Sequence, residues 1–273
     1  MSLESYTEPV SQLLNCDASL TYRDWFDYPG QLGLTQSDVP ELIRMAIDPQ
    51  FNELDSDSQE VWAPIHAIRA LGQLRAEEAI APLISLFTVE DDYFRQDLPD
   101  VLGLIGPAAI APLAAFLEDT EQDVWARVLA VNSLEQIAHR HPDHQSDCVE
   151  VMMTWLARYR ENDEILDSTL IDCLTQLKAQ EAAPLIEEVF AHKDVDEMLT
   201  GSPAMVRVQL GLNQESDFSS EELKPKTPES MKQIKEILKL FDLQATSPQG
   251  FGKASSSQTQ KTKKSKKKKK KKR

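Results

Sequence analysis

The chain has 273 residues, of which 41 % are hydrophobic, and a formal net charge of −16. The segment after Gly252 carries 12 of the 29 basic residues and no acid, so residues 1–252 hold 17 basic against 45 acidic residues, a net −28. Such an acidic body is a poor docking surface for nucleic acids and anionic lipids, because it repels their phosphates.

The sequence also indicates in which cellular compartment the protein is located. It contains no run of about 18 consecutive apolar residues, so we expect no membrane-spanning helix. The N-terminal segment lacks the basic start and apolar stretch of a secretory signal. Three well-separated cysteines (Cys16, Cys148 and Cys173) are typical of free thiols in a reducing environment. We therefore expect a cytoplasmic protein.

Aromatic residues are concentrated near the N-terminus, at Tyr22, Trp25, Phe26 and Tyr28. They predict a cap over residues 1–35 that covers the first unit of a repeat array, because such arrays must seal their ends. The alternative is a docking patch for a partner.

From about Asp38 to Leu212 the apolar residues recur at helical spacing. Ile65, Ile68 and Leu71, for example, share one side of a helix predicted over residues 58–76. Alternating Val, Ile and Thr runs of the kind that form strands are almost absent. The pattern predicts an all-α body.

The body also repeats. The sequences ALGQL and AIAPL follow each other at 70–83, and VLGLI and AIAPL do so at 101–113. More divergent copies begin at 133 and 173, and the marker leucines at 71, 102, 134 and 174 are 31, 32 and 40 residues apart. A period of about 20 to 50 residues with two helices per unit is typical of a helical solenoid. We assign it to residues 36–212.

These units resemble HEAT repeats of the short bacterial type first noted in phycobilisome lyases, whose pattern is Val-Arg-x-x-Ala-Ala-x-Ala-Leu-Gly, a turn, and Ala-Ile/Val-x-x-Leu. The third unit keeps the turn residue Asp123 and the arginine, Arg127, whereas the first has Pro64 where that arginine would be. The order YRDWFDYP, VPELI and WAPIHA, at 22–29, 39–43 and 62–67, is similar to a subfamily of uncharacterised bacterial HEAT-repeat proteins.

The resemblance covers roughly residues 20–212 and implies an α-α superhelix whose Ala-Leu-Gly helices line a concave, partner-binding surface. The likeness to lyase repeats also allows a role in handling a tetrapyrrole. Some members of the subfamily end in a cysteine-rich SEC-C zinc motif. This chain has no cysteine after Cys173, so that zinc site is not expected.

A ladder of aromatic and polar side chains is predicted on the side of the repeat helices opposite the core leucines. Its members are Trp62, His66, Arg69, Gln73, Tyr93 and Trp125. The first four fall within about 60° of one another around a helix. Exposed Trp, Tyr and Arg are enriched at binding hot spots, so we expect these residues to contact a partner protein. The alternative is that Trp62 and Trp125 cover seams between repeats and Arg69 pairs with a neighbouring acid.

No catalytic fingerprint is present: Gly103 and Gly106 lie inside a repeat, and no nucleophile has a recognisable context. His139, His141, His144 and Cys148 include the residue types that bind zinc. Their spacing fits a helix C-terminus stopped by Pro142 better, because a helix dipole favours histidine there. We expect no enzyme activity, metal or cofactor.

Three segments follow the repeats: a polar linker over 213–228, an amphipathic helix over 229–243 and a disordered tail over 244–273. The helix is predicted to be a C-terminal cap or a short partner-binding helix. The basic tail comprises Lys263, Lys264, Lys266, Lys267, Lys268, Lys269, Lys270, Lys271, Lys272 and Arg273. It is predicted to contact nucleic acid or anionic lipid weakly and without sequence preference, or to fold back on the acidic body.

Taken together, the sequence predicts a scaffold, adaptor or assembly chaperone that binds a protein along the concave solenoid surface. Two alternatives stay open. One is a lyase-like accessory that handles a tetrapyrrole, and the other is an RNA- or ribosome-associated factor that uses the lysine tail.

Overall fold

The computed structural model describes residues 6–16, 25–55, 57–89 and 96–226. Within these ranges every regular element is helical and no strand occurs, which confirms the all-α prediction there. The chain divides into two compact units, Met1–Thr227 and Pro228–Arg273, and the described residues belong to the first. Tyr22, Tyr93, the helix predicted over 229–243 and the basic tail lie outside the described residues.

The α-helices of the described residues are, in chain order, α1 Tyr28–Leu32, α2 Val39–Ala46, α3 Ala63–Gln73, α4 Ile80–Ser85, α5 Leu98–Ile105, α6 Ile110–Glu118, α7 Val124–Arg140, α8 Gln145–Leu156, α9 Glu164–Gln176, α10 Ala183–His192, α11 Glu197–Thr200 and α12 Pro203–Gln209. Short 3-10 helices accompany them, among them Val10–Asn15, Gln59–Trp62, Pro107–Ala109 and Pro142–His144.

Local sequence signals set several helix starts. Pro64, Pro99 and Pro184 lie in the first turns of α3, α5 and α10, where a missing backbone N–H leaves no helical hydrogen bond unmade. Asp123 and Asp163 precede α7 and α9, and the carboxylate of each accepts a hydrogen bond from the second backbone N–H of its helix. The prolines and the capping aspartates therefore mark where these helices begin.

The repeat units provide two sets of helices that pack in sequence. In the first set, α3 packs on α5, α5 on α7 and α7 on α9. In the second, α4 packs on α6, α6 on α8 and α8 on α10. The four marker leucines, Leu71, Leu102, Leu134 and Leu174, are fully buried on the helices of the first set. Each unit therefore adds one buried leucine to a core that is shared with its neighbours.

The glycine of the Ala-Leu-Gly motif permits close approach between successive helices of the first set. A Cβ at Gly103 on α5 would lie 2.7 Å from Cβ of Gln136 on α7. A Cβ at Gly72 on α3 would lie 3.2 Å from Cα of Val101 on α5. The residue after the marker leucine is therefore small in the first two units because backbone or Cβ atoms of the next helix occupy the space. In the third unit that position is Glu135.

Among the described residues, no single helix has both the length and the apolar composition needed to cross a membrane. The pair Leu98–Ile105 and Pro107–Glu118 has the required length and composition together, but it is bent by 113°.

Candidate functional site

The polar side of α3 is covered by the N-terminal segment, residues 25–28. Tyr28 is fully buried, and its hydroxyl oxygen lies 2.7 Å from Nδ1 of His66. Phe26 packs edge-on against the Tyr28 ring, with 5.2 Å between the ring centroids. His66 is 2 % exposed as a result. The predicted role of His66 as a surface contact is wrong, because Tyr28 occupies the space in which a partner would have to lie.

Gln73 holds the same segment through its side-chain amide. Its Oε1 accepts a hydrogen bond of 3.0 Å from the backbone N–H of Tyr28, and its Nε2 donates one of 2.8 Å to the carbonyl oxygen of Phe26. Both polar ends of the amide are therefore used within the chain. Gln73 anchors the N-terminal segment to α3, which the spacing of polar residues along α3 does not reveal.

Arg69 links α3 to the residue before α5. Its Nε lies 2.7 Å from Oδ2 of Asp97, and the two side chains are only 12 % and 13 % exposed. The guanidinium carbon also lies 5.4 Å from the ring centroid of Trp25. Burial alone lowers the pKa of Arg69, but hydrogen bonding to Asp97 holds it above its ordinary value. The alternative prediction, that Arg69 pairs with a neighbouring acid, is confirmed.

Burial also determines the protonation state of the Tyr28 hydroxyl, which faces Arg69 and His66. It raises the pKa of Tyr28 to about 12, although the positive charge of Arg69 opposes the shift. Tyr28 therefore keeps its proton at neutral pH. With Trp25 and Phe26 half-buried against the core, the described part of the N-terminal aromatic cluster faces inward and does not form an exposed docking patch.

The remaining described members of the ladder differ from each other. Trp62 is half-buried and packs against the core, as a residue that covers a seam would. Trp125, in the first turn of α7, is 53 % exposed. Val128, Leu129 and Asn132 follow it at helical spacing and are half-buried. We call these four residues the α7 surface, and Trp125 is the member of the predicted ladder that is exposed among the described residues.

The α7 surface and helix α3 both lie within a stretch that matches a protein-family model. The model is described as Protein of unknown function (DUF1186), and it matches residues 35–244. The chain belongs to the DUF1186 family. No curated protein and no solved structure matches it. The family match begins after residues 25–28, so it covers α3 but not the segment that covers α3 in this DUF1186 protein.

Sequence reasoning missed an acidic cluster between α7 and α9 of the DUF1186 protein. Nε2 of His139 lies 3.5 Å from Oε1 of Glu135, and the Cys173 thiol donates to Oδ1 of Asn132 at 3.7 Å. Burial raises the pKa of Glu135, and nearby Asp172 raises it further, while His139 opposes the shift. Burial raises the pKa of Asp172 and of Cys173 as well. Burial thus favours the neutral, protonated forms of Glu135, Asp172 and Cys173.

Aligning the repeat units could have revealed this cluster. Glu135 follows the marker leucine of the third unit, at the position that Gly72 and Gly103 occupy in the first two units. A carboxylate at a position that faces the next helix must be desolvated.

His141 and His144 each contact a different group near the end of α7. Nε2 of His141 lies 3.0 Å from the carbonyl oxygen of Gly103, and Nδ1 of His144 lies 2.9 Å from Oδ2 of Asp147. Over the described ranges no group of three or more His, Cys, Asp or Glu side chains is arranged to hold a metal ion. The helix-end interpretation is confirmed, since α7 ends at Arg140 and Pro142 opens the next 3-10 helix.

Proposed function

We propose that this DUF1186 protein is a non-enzymatic, HEAT-like α-solenoid that binds a protein partner, as a scaffold, adaptor or assembly chaperone. The sequential packing of α3, α5, α7 and α9, together with that of α4, α6, α8 and α10, supports a solenoid, since each unit contacts its neighbours in chain order. A solenoid presents one continuous surface along each set of helices, which suits recognition of an extended partner.

The observation that carries the proposal is the exposure of Trp125. A side chain of this size is usually removed from water in a folded monomer, and here 53 % of it remains accessible. Tryptophan is among the residue types most enriched at binding hot spots, because it buries a large area at low cost in conformational entropy. Val128 and Leu129, which are half-buried and pack against the core, continue the apolar side chains by one turn of α7. We place the partner-binding contact on the α7 surface.

A site-specific photocrosslinking experiment tests the proposal. A photoreactive phenylalanine analogue replaces Trp125 in the full-length chain, expressed in its native host. The matched control carries the analogue at Met198, which is 52 % exposed on α11. We expect a discrete protein adduct from position 125 that is absent or much weaker from position 198.

A second variant examines the energetic role of the same side chain. Trp125→Ala in the full-length chain is expected to weaken capture of the crosslinked protein at least about tenfold, whereas Met198→Ala leaves it unchanged. If both positions yield the same adducts, or if Trp125→Ala retains full capture, the α7 surface is not the partner-binding contact.

A further inference from the structure

Helices α6 and α8 lie side by side and leave a groove with a volume of about 570 Å³ between them. Ile110, Ala111 and Ala114 of α6 line one side, and Val151 of α8 lines the other. The two alanines carry only methyl groups, and Ala111 is exposed. The floor is thus apolar, and it is separate from the α7 surface.

The lining residues form two stripes that run along the groove. On the α6 side they recur from 107 to 118, and on the α8 side from 144 to 155, at steps of one, three or four residues that keep them on one face of each helix. Arg158, just beyond α8, lies 3.3 Å from Glu118 at the end of α6, so the C-terminal ends of the two helices meet. Each stripe spans about 16 Å at 1.5 Å per residue. A groove of this length between two parallel helices matches about three turns of a third helix.

The charge of the groove is acidic. Glu118, Asp147 and Glu150 contribute carboxylates, and no lysine or arginine lines it. Two of these acids have a partner already: Glu118 faces Arg158, and Asp147 faces His144 at 2.9 Å. Glu150 is exposed and has no ion pair within the part of the chain that the structure describes.

We propose that the α6–α8 groove binds a basic amphipathic helix of a partner protein. The apolar side of that helix would pack on Ile110, Ala111, Ala114 and Val151, and a lysine or arginine side chain at its edge would pair with Glu150. This assignment goes beyond the proposed function, because it concerns a second surface and holds whether or not Trp125 contacts a partner.

The test uses the full-length chain and a synthetic helical peptide of leucine and lysine, with leucines at positions i, i+3, i+4 and i+7. A second peptide has glutamate in place of every lysine. Isothermal titration calorimetry is expected to show saturable, one-to-one binding of the lysine peptide that weakens as salt increases, and no binding of the glutamate peptide. Absence of saturable binding, or equal binding of both peptides, overturns the proposal.

Two variants with matched controls locate the binding. Ala111→Trp fills the floor of the groove and is expected to weaken binding of the lysine peptide at least about tenfold. Its control is Ala81→Trp, at the equivalent exposed position of the preceding repeat, which is expected to leave the affinity unchanged. Glu150→Arg is expected to weaken binding of the same peptide about fivefold. Its control is Glu78→Arg, which reverses the charge of an exposed residue on another helical turn and is expected to weaken binding less than twofold.

The controls also separate this surface from non-specific attraction to the acidic body. If Glu78→Arg reduces affinity as much as Glu150→Arg does, or if Ala111→Trp has no effect, the peptide does not occupy the groove and the assignment is wrong. Trp125→Ala serves as a further control and is expected to leave peptide affinity unchanged. The outcome at the groove is thereby distinguishable from the outcome at the α7 surface.

Discussion

The hydroxyl oxygen of Tyr28 lies 2.7 Å from Nδ1 of His66, and both side chains are buried. The contact joins residues that are 38 positions apart and holds the N-terminal segment on α3. Gln73 adds two hydrogen bonds to the backbone of the same segment. The segment is therefore fixed in one position by polar contacts, because leaving these buried groups unpaired would cost free energy.

The variant Tyr28→Phe measures the energetic contribution of this contact. It leaves the ring in place and removes the buried hydroxyl, so the free energy of unfolding is expected to fall by about 1–3 kcal/mol in urea denaturation. Tyr6→Phe is the comparison. The Tyr6 hydroxyl donates to Oδ2 of Asp48 at 2.8 Å, and that half-buried carboxylate keeps a second donor in the backbone N–H of Gln50. A loss for Tyr6→Phe as large as that for Tyr28→Phe would contradict the argument.

The ion pair between Arg69 and Asp97 is expected to stabilise the fold. Because both side chains are nearly buried, Arg69→Ala and Asp97→Ala should each lower the free energy of unfolding by about 2–4 kcal/mol. The double variant should lose clearly less than the sum of the two single losses. Glu187→Ala, which breaks an exposed pair with Arg207, is the control and should lose about 1 kcal/mol or less. Additive losses at Arg69 and Asp97 would argue against a direct interaction.

Two tryptophans should respond in opposite ways to truncation. Trp155 on α8 is buried, and the guanidinium carbons of Arg127 and Arg158 lie 4.8 Å and 4.2 Å from its ring centroid. Trp155→Ala is expected to lower the free energy of unfolding by about 3–5 kcal/mol. Trp125→Ala removes a largely exposed side chain and should change it by less than about 0.5 kcal/mol. A large loss for Trp125→Ala would mean that this residue has a structural role.

Close helix packing predicts a ranking of two glycine variants. Alanine at Gly103 would place its Cβ 2.7 Å from Cβ of Gln136, so α5 and α7 must shift apart. We expect Gly103→Ala to lower the free energy of unfolding by about 1–3 kcal/mol despite the higher helix propensity of alanine. A Cβ at Gly72 would have its nearest neighbouring atom at 3.2 Å, so Gly72→Ala should lower the free energy of unfolding by less. Thermal unfolding of both variants checks the order, and equal melting temperatures would contradict it.

Much of the helical framework could be predicted from the sequence, since it depends on local signals. The leucines at 71, 102, 134 and 174 mark helices that bury them, and prolines and acids mark helix starts. Contacts across the sequence are harder to predict. Nothing in the spacing of His66, Arg69 and Gln73 indicates that residues 25–28 lie on them, because that contact depends on where a segment about 40 positions earlier returns to the helix.

The candidate site was predictable to a similar, partial extent. Trp125 is an aromatic at an early helical position, and the structure leaves it accessible, as the ladder requires. The same pattern placed His66 on a surface although it is buried, because polarity alone does not distinguish an exposed side chain from one with an internal hydrogen-bond partner. The half-buried carboxylate of Glu135 could be found in the sequence only by aligning the repeats on their glycines.

The pH dependence of stability should report on Glu135. Because burial raises its pKa, the folded chain binds a proton at Glu135 more tightly than the unfolded chain does. The contribution of Glu135 is therefore most favourable below its ordinary pKa of 4.5 and is lost as pH rises through the higher folded value. Glu135→Gln removes this titration, so the variant is expected to melt about 2 °C above the wild-type chain at pH 7.

The pH profile distinguishes this effect from a simple change in packing. The difference in melting temperature between Glu135→Gln and the wild-type chain should shrink as the pH falls and be small near pH 4, where most of the wild-type carboxyl carries its proton in both states. Asp172, His139 and Cys173 face Glu135 and are the same in both proteins, so the two chains differ only in the group at position 135. Glu181→Gln, on an exposed turn, should show no difference at either pH. A gap that persists unchanged at pH 4 would mean that the amide improves packing and that the carboxylate at position 135 is not destabilised by burial.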